Sequence, residues 1–443
     1  MILLFTILAA SIVPLLSATS VHIRSTESWI HGDHCNNDIL SLRLDTSTIP
    51  RNFIASPSVR CVDMSNNKLN IIEEGAFDQL PNLEYLNLQN HRIRPSNLMS
   101  FGNLTNIKKL ILSDGEYYYA EPINVRGVYP QLQYLDLSNT RGSSIESSEE
   151  NPFPELKYLD YSQNSIRKFE VINLNMYEKL TYLSLARNDI QRLLLTKFSN
   201  LSFLNLDSNS IVEIGSSYNG VDLTGLTKLN YLSVANNKIR VIYTDAFRDT
   251  VNLRYLNISR TTLSTLDAKT LYDLKSLEVL ILDHNNFSAV PIMPTPMNLT
   301  TLSMNYNNVM NITNSSNLPY LKTLFLSNNN ITNILPHMFE SYEVLEELYL
   351  DGNQITSLPQ GWCDSMKMLR LLDLSRNRFT VLESIFNSYV PSLQLIYIED
   401  NPLEYIDAST FKIIPENVTI YFKHSVNRSI HLTKTSFSFK DFI

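Results

Sequence analysis

One spelling recurs along the chain: L-x-x-L-x-L-x-x-N-x-L. It begins at Val59, Leu83, Ile107, Leu132, Leu156, Leu180, Leu201, Leu229, Leu253, Leu277, Leu299, Leu321, Leu345, Leu369 and Leu393. Nine of the fourteen spacings are 24 residues and the rest fall between 21 and 28. A period of this size excludes a set of independent globular cores. One such unit has too little apolar surface to bury alone, so the units must stack and share a continuous core.

Each template position has a physical reason. Within L-x-L the side chains alternate faces, which turns the leucines inward and the intervening residues outward on a short strand. The asparagine comes where the chain leaves the strand and leaves backbone groups without partners. Its amide both donates and accepts, so stacked asparagines can serve those groups along the spine. Eleven units carry it: Asn67, Asn164, Asn188, Asn209, Asn237, Asn285, Asn307, Asn329, Asn353, Asn377 and Asn401. A further apolar position lies six residues before each unit, at Phe77, Phe101, Leu174, Leu195, Leu223, Phe247, Leu271, Met293, Phe339, Cys363 and Phe411; Arg126, Glu150, Ser315 and Asn387 break it. After Phe411, the stretch NVTIYF from Asn417 predicts a degenerate sixteenth strand through Ile420 and Phe422, for sixteen parallel strands in all.

Units such as VRCVDMSNNKLNIIEEGAFDQLPN (59–82) and LNYLSVANNKIRVIYTDAFRDTVN (229–252) resemble the 24-residue repeats of extracellular leucine-rich-repeat proteins. They are similar to those of Toll-type receptor ectodomains, chaoptin-like adhesion proteins and secreted invertebrate immune proteins. The resemblance implies an α/β solenoid, a horseshoe with one long parallel β-sheet on its concave face. It also implies non-enzymatic recognition of a protein or other extracellular macromolecule, in innate immunity or cell–cell contact, with a structural matrix or adhesion role as the alternative. The chain departs from the family in lacking a cysteine-rich carboxyl cap, a membrane span and a signalling domain.

The first residues, MILLFTILAASIVPLLSATS, read as a secretory signal cleaved after Ser20. The expected organisation is then a signal at 1–20, a cap at 21–58, fifteen repeats at 59–416, and the last strand with its cap at 417–443. Ten sequons agree with a secretory route: Asn103, Asn200, Asn257, Asn286, Asn298, Asn311, Asn314, Asn330, Asn417 and Asn427. Of three cysteines, Cys35 and Cys61 are expected to pair at the amino-terminal end, and Cys363 occupies a buried apolar position.

Chemistry is sparse. A formal net charge of −8 argues against phosphate-driven nucleic-acid binding. Neither HExxH nor G-x-S-x-G occurs, and WIHGDHC offers His31, His34 and Cys35 without a second ligand pair, so no enzyme, metal or cofactor is expected. Recognition falls to the outward strand residues. Tyr85, Tyr134, Tyr158, Tyr182, Phe203, Tyr231 and Tyr255 share one column, broken by Lys109. Tyrosine offers wide contact with few rotatable bonds, although rings in one column can also simply stack on each other. The last six units expose Glu278, Asp283, Glu346, Glu347, Asp351, Asp373, Glu399 and Asp400 against Lys322, Arg370 and Arg376. The second to fourth units are irregular, with His91, Gly115 and Thr140 at the ladder position. Two insertions follow there, an aromatic one at 115–130 that includes Tyr118 and Tyr119 and an acidic, serine-rich one at 141–154. These converge on a binding surface on or beside the concave face of the amino-terminal half. The oligomeric state is not encoded in any feature of the chain.

Overall fold

The computed structural model describes residues 35, 39–102, 104–169, 177–215, 220–294, 297–312, 318–385, 390–404, 415, 418–424 and 428–433. Each of the fifteen units supplies one three-residue strand, from Cys61–Asp63 to Leu395–Tyr397, and neighbours pair in parallel in chain order. Pairing places each template position opposite itself, so Leu135, Leu159, Leu183 and Leu204 align across four strands. The result is a parallel β-solenoid. Every outward position therefore becomes a column running the length of the sheet.

The sheet has eighteen strands rather than sixteen. Ile39–Ser41, within the segment read as a cap, already pairs in parallel with Cys61–Asp63. At the far end Thr419–His424 pairs in parallel with Leu395–Tyr397, and Arg428–Thr433 folds back antiparallel on it. A hairpin thus ends the stack. Cys35 is disulfide-bonded to Cys61 in the first repeat strand, with Cα atoms 6.1 Å apart.

Helix is nearly absent. No α-helix occurs among the described residues, and the return segments carry turns, 3-10 turns such as Ala268–Leu271, and short parallel pairings. One of these pairings joins Glu121–Val125 to Gly142–Ser147; another joins Leu193–Leu194, Val221–Asp222, Glu213–Ile214 and Val241–Ile242.

The core runs between the sheet and these return segments. Phe77, Phe101, Leu195, Leu223, Phe247, Leu271, Met293, Phe339 and Cys363 are all buried at the position six residues before a unit; Leu174 and Phe411 lie outside the described residues. A second buried column, unread in the sequence, lies three residues before each unit. It includes Leu80, Leu104, Tyr129, Phe153, Tyr177, Phe198, Leu226 and Tyr342. It explains how the third and fourth units tolerate Arg126 and Glu150: Tyr129 and Phe153 fill the space, with ring centroids 5.8 Å apart. The fourth unit's insertion is propped from below. Tyr161 replaces the inward leucine of the fifth strand and donates its hydroxyl to the Ser144 carbonyl at 3.1 Å. A Cβ at Gly142 would lie 2.4 Å from that phenolic oxygen, so only glycine fits there.

The asparagine ladder is built as the chemistry requires. Asn209 donates Nδ2–H to the carbonyls of Leu206 and Leu185, and its Oδ1 accepts from the Ile190 N–H of the previous unit. Asn188, Asn237, Asn307, Asn329, Asn353 and Asn377 repeat this pattern. Where asparagine is missing the replacements still bond. Thr140 and Thr261 each have two acceptors within reach of their single Oγ–H, the Leu137 or Ile258 carbonyl and the Oδ1 of the next asparagine. His91 reaches forward to the Leu112 carbonyl with Nε2 at 2.8 Å, while Nδ1 accepts from the Ile93 N–H at 3.1 Å. Gly115 follows because a side chain there would crowd the imidazole, a Cβ lying 3.1 Å from His91 Cε1.

Candidate functional site

The strand register fixes the tyrosine column. Tyr134, Tyr158, Tyr182, Phe203, Tyr231 and Tyr255 face one another across adjacent strands. Their rings form one continuous stack, with centroid separations of 4.1, 4.1, 4.3, 4.2 and 4.5 Å and interplanar angles of 11° or less. Parallel strands lie about 4.8 Å apart, so rings on consecutive strands need only a slight tilt to reach contact. Each pair contributes about 0.5–1.5 kcal/mol beyond simple burial. Lys109 does not interrupt the column so much as cap it: its Nζ lies 4.5 Å from the Tyr134 ring centroid and 5.8 Å from that of Tyr85.

Stacking has a consequence for recognition. The ring faces cover each other, leaving edges exposed along a rigid rail, and Tyr255 at the far end is itself buried. Burial raises the phenol pKa values throughout, carrying Tyr231 to about 12, so the hydroxyls stay protonated as donors at any physiological pH. Beside the rail, Asp136 and Asp160 are register-matched neighbours. Burial raises both, helped by the charge of Asp114 at Asp136 and by that of Asp136 at Asp160; Asp160 is pushed up to about 6 although each accepts a hydrogen bond from a serine N–H two residues on.

Elsewhere on the face the charges are consumed internally. Glu84 bridges Arg60 and Lys108, Arg254 meets Glu278 at 3.1 Å, and Glu346 lies between Lys322 at 3.0 Å and Arg370 at 3.7 Å. Asp351 is buried and bonded to both Arg376 and Ser327. Of the eight acids read from the last six units, Glu278, Glu346 and Asp351 are thus ion-paired. Aromatics change column there: Phe325 stacks on Tyr349 at 4.6 Å and Tyr397 on Tyr421 at 4.7 Å, with Asp373 between the two pairs. His284 stacks on Tyr306 in a third column.

The insertions do not join the rail on the strand face. Both lie beyond the ladder turn, where Glu121–Val125 and Gly142–Ser147 form their own two-stranded sheet. Tyr118 and Tyr119 are 89% and 72% exposed. Their base is clamped: Tyr117 donates to Glu121 at 3.1 Å, Ser96 donates to Glu121 at 2.7 Å, and Arg92 pairs with Glu116 at 2.7 Å. Burial lowers the pKa of His91, beside this segment, and holds it neutral.

Of the sequons, Asn286, Asn298 and Asn311 are exposed; Asn103, Asn314, Asn417 and Asn427 lie outside the described residues. Asn257 stands on the strand face directly after Leu256, its Oδ1 accepting from the Ser259 N–H. Asn200 has structural work. With Asn82, Asn106 and Asn252 it forms a second ladder just ahead of the strands, each donating Nδ2–H to a carbonyl one repeat back. A further regularity went unread. The residue before the ladder position is left-handed in all fifteen units, from Asn66 to Asp400, with glycine only at Gly352. Asparagine, aspartate or glycine fills it in eight of them, the residues that adopt that backbone most readily.

The leucine rich repeat family matches residues 46–93, 57–115, 227–287, 297–355 and 343–403, together more than half of the chain. The chain belongs to the leucine-rich-repeat family. No curated protein matches the sequence. Among solved structures, the fold of this leucine-rich-repeat chain is similar to the Leptospira interrogans protein LIC12759, at 23% identity and a TM-score of 0.67 over 83% of this chain and 90% of that one. It is also similar to the APL1 leucine-rich repeat domain, at 20% identity and 0.55 over 79% and 82%. A third likeness is the ectodomain of the Arabidopsis thaliana receptor kinase GASSHO1/SCHENGEN3 in complex with CASPARIAN STRIP INTEGRITY FACTOR 2, at 22% and 0.54 over 82% and 46%. These likenesses concern the fold. The family is one of binding repeats and indicates no catalytic class; no described helix is long and apolar enough to cross a membrane.

Proposed function

We propose that this leucine-rich-repeat chain is a secreted, glycosylated recognition module that binds another protein through its strand face, in immunity or cell–cell recognition. The observation that carries this reading is the continuous ring stack from Tyr134 to Tyr255. Ordering loose aromatic side chains opposes association, and a rail already locked in place avoids that cost. The disulfide between Cys35 and Cys61 favours an oxidising compartment. Signal cleavage after Ser20, the cap at 21–58 and the closing segment at 417–443 belong to the same proposal. The plant receptor ectodomain, seen in complex with its factor, illustrates such a use of the fold.

The test begins with affinity purification of the secreted protein and mass spectrometry of what it retains. Tyr134→Ala with Tyr158→Ala should then weaken the recovered partner at least 30-fold, the loss of one anchoring group worth about 2 kcal/mol or more. Circular dichroism must show the solenoid intact. Undiminished affinity in the folded double variant would reduce the stack to scaffold. Recovery in insoluble matrix alone, with no soluble partner, would favour the structural role.

A further inference from the structure

The acidic, serine-rich insertion is unexplained by the strand face. Ser143–Asn151 reads SSIESSEEN, four serines and three glutamates in nine residues. Ser144, Ser147 and Ser148 each have a glutamate two residues on: Glu146, Glu149 and Glu150. A carboxylate at that spacing is what the basic substrate groove of an acid-directed serine kinase would read. Sequence alone does not separate the three.

The structure separates them. Ser144 donates its hydroxyl to Glu146 at 3.2 Å, and Ser147 accepts the Glu149 N–H at 3.0 Å. Ser147 also has the strand parity of Ile145 and of its register partner Val125, whose side chain is buried, so it turns toward the coil. Ser148 is exposed, one residue past the strand end, and is followed by exposed Glu149 and Glu150. Val125 is the register partner of Ser147, and Arg126 and Ser148 each directly follow that last paired rung. Arg126 is exposed, on the outer parity of Asn124 and Glu146, and it stands where other units place a buried apolar side chain.

We propose that Ser148 is a phosphoacceptor for an acid-directed serine kinase, and that Arg126 receives the phosphate across the two-stranded sheet. Ser148 Oγ attacks the γ-phosphorus of ATP; the Oγ–P bond forms, the bond from that phosphorus to the β–γ bridging oxygen breaks, ADP leaves, and the hydroxyl proton passes to the kinase's base. The product carries close to two negative charges at neutral pH, beside an arginine able to hold them by charge-assisted hydrogen bonds. Two glutamates nearby oppose the new charge. The modification thereby ties the end of one insertion to the other and changes the charge of a surface separate from the ring stack.

The experiment uses the full chain, a recombinant serine kinase that requires a carboxylate two residues after its target, and Mg-ATP, with peptide mapping by mass spectrometry. One phosphate on Ser148 is expected, reduced more than 10-fold by Ser148→Ala and less than 2-fold by Ser147→Ala. Glu150→Gln should lower the rate at Ser148. In the phosphorylated chain, Arg126→Gln should raise the second phosphate pKa seen by phosphorus NMR. The proposal fails if the phosphate falls on Ser144 or Ser147. It fails equally if the folded chain is inert while a 141–154 peptide is phosphorylated. An unmoved phosphate pKa in Arg126→Gln would overturn the receiving role of Arg126.

Discussion

The stretch from Leu299 to Asn401 and the stretch from Leu83 to Phe153 are built on one template and use it differently. In the first, Asn307, Asn329, Asn353, Asn377 and Asn401 form an unbroken ladder, and Glu346 and Asp351 on the strand face pair with bases one repeat away. In the second, His91, Gly115 and Thr140 replace the asparagines, two insertions form a side sheet, and the ring stack begins. The regular stretch puts its polar side chains to work as backbone partners. The irregular one carries the surface features, while its ladder bonds survive through other chemistry. Irregularity here is substitution rather than decay, since each replacement found a partner or made room for one.

The comparison breaks first at the ladder. Asn353→Ala removes an amide that accepts from Ile331 N–H and donates to the Leu326 and Leu350 carbonyls, all buried. Stranding those groups should cost about 3 kcal/mol. Thr140→Val loses only a hydroxyl to Leu137 and Asn164 and should cost about half as much. Hydrogen exchange, resolved by unit, is the suitable measurement because a solenoid need not unfold in one step. Equal losses at the two positions would mean that the irregular stretch depends on its ladder as fully as the regular one.

The second test compares ring columns. Tyr158 is stacked on both sides and Phe325 only on Tyr349 among the described rings. Tyr158→Ala should destabilise by about 2 kcal/mol more than a residue of equal burial without stacking, and Phe325→Ala by about 1. Thermal melts of the two variants would show it. A larger loss at Phe325 would remove the distinction between a six-ring stack and isolated pairs.

How far these differences were legible depends on whether one residue or a pairing carries them. The sheet, the asparagine ladder, the buried Cys363 and the tyrosine column follow from a single unit read repeatedly, because parallel register copies a position onto itself. Tyr129 and Phe153 were missed because they belong to a second column, three residues before each unit, that the repeat template leaves out. Lys109 looked like a gap because a cation over two rings has no signature in a one-dimensional column. The pairing of Glu346 and Asp351 was illegible for a similar reason: they find their bases a full repeat away. That the two insertions follow the ladder position was legible; that Glu121–Val125 and Gly142–Ser147 pair into one small sheet was not.

Acid should tell the two stretches apart as well. His91 is buried and neutral, with both ring nitrogens engaged. Protonation would set an Nδ1–H against the Ile93 N–H. Because its folded pKa lies below the unfolded value of about 6.5, its contribution is fully present above that pH and is lost as pH falls through it. Nearby Asp114 opposes the shift without cancelling it. Taking the pH from 7.5 to 5.5 should lower the protection of Ile93 and its neighbours, measured against the intrinsic exchange rate at each pH, by up to about 1 kcal/mol of local stability, with no such change around Asn353. His91→Asn should abolish the difference. Uniform loosening of both stretches would show that His91 is not the sensor.

The smallest effect lies beside the rings. Asp160 is pushed up to about 6 from a model-peptide value near 3.8, mainly by burial and then by Asp136 across the register pair. The sign is opposite to that of His91. Between pH 4 and 6 the folded chain holds a proton that the unfolded chain has released, so stability falls as pH rises and the buried charge remains a burden at neutrality. Asp160→Asn keeps an oxygen for the Ser162 N–H and removes the charge. Screening at this partly exposed site limits the gain to about 0.5–1 kcal/mol at pH 7.5, vanishing below about pH 4. Asp373 is pushed up to about 6 as well, but its neighbour Asp351 is bonded to Arg376, which lowers the Asp373 value in turn. Asp373→Asn should therefore gain no more than Asp160→Asn. Melting temperatures of both variants across that pH range decide the matter. A larger gain at Asp373 would mean that Arg376 does not relieve its carboxylates, and that the charge pairing assigned to the regular half is not what separates it from the ring-bearing one.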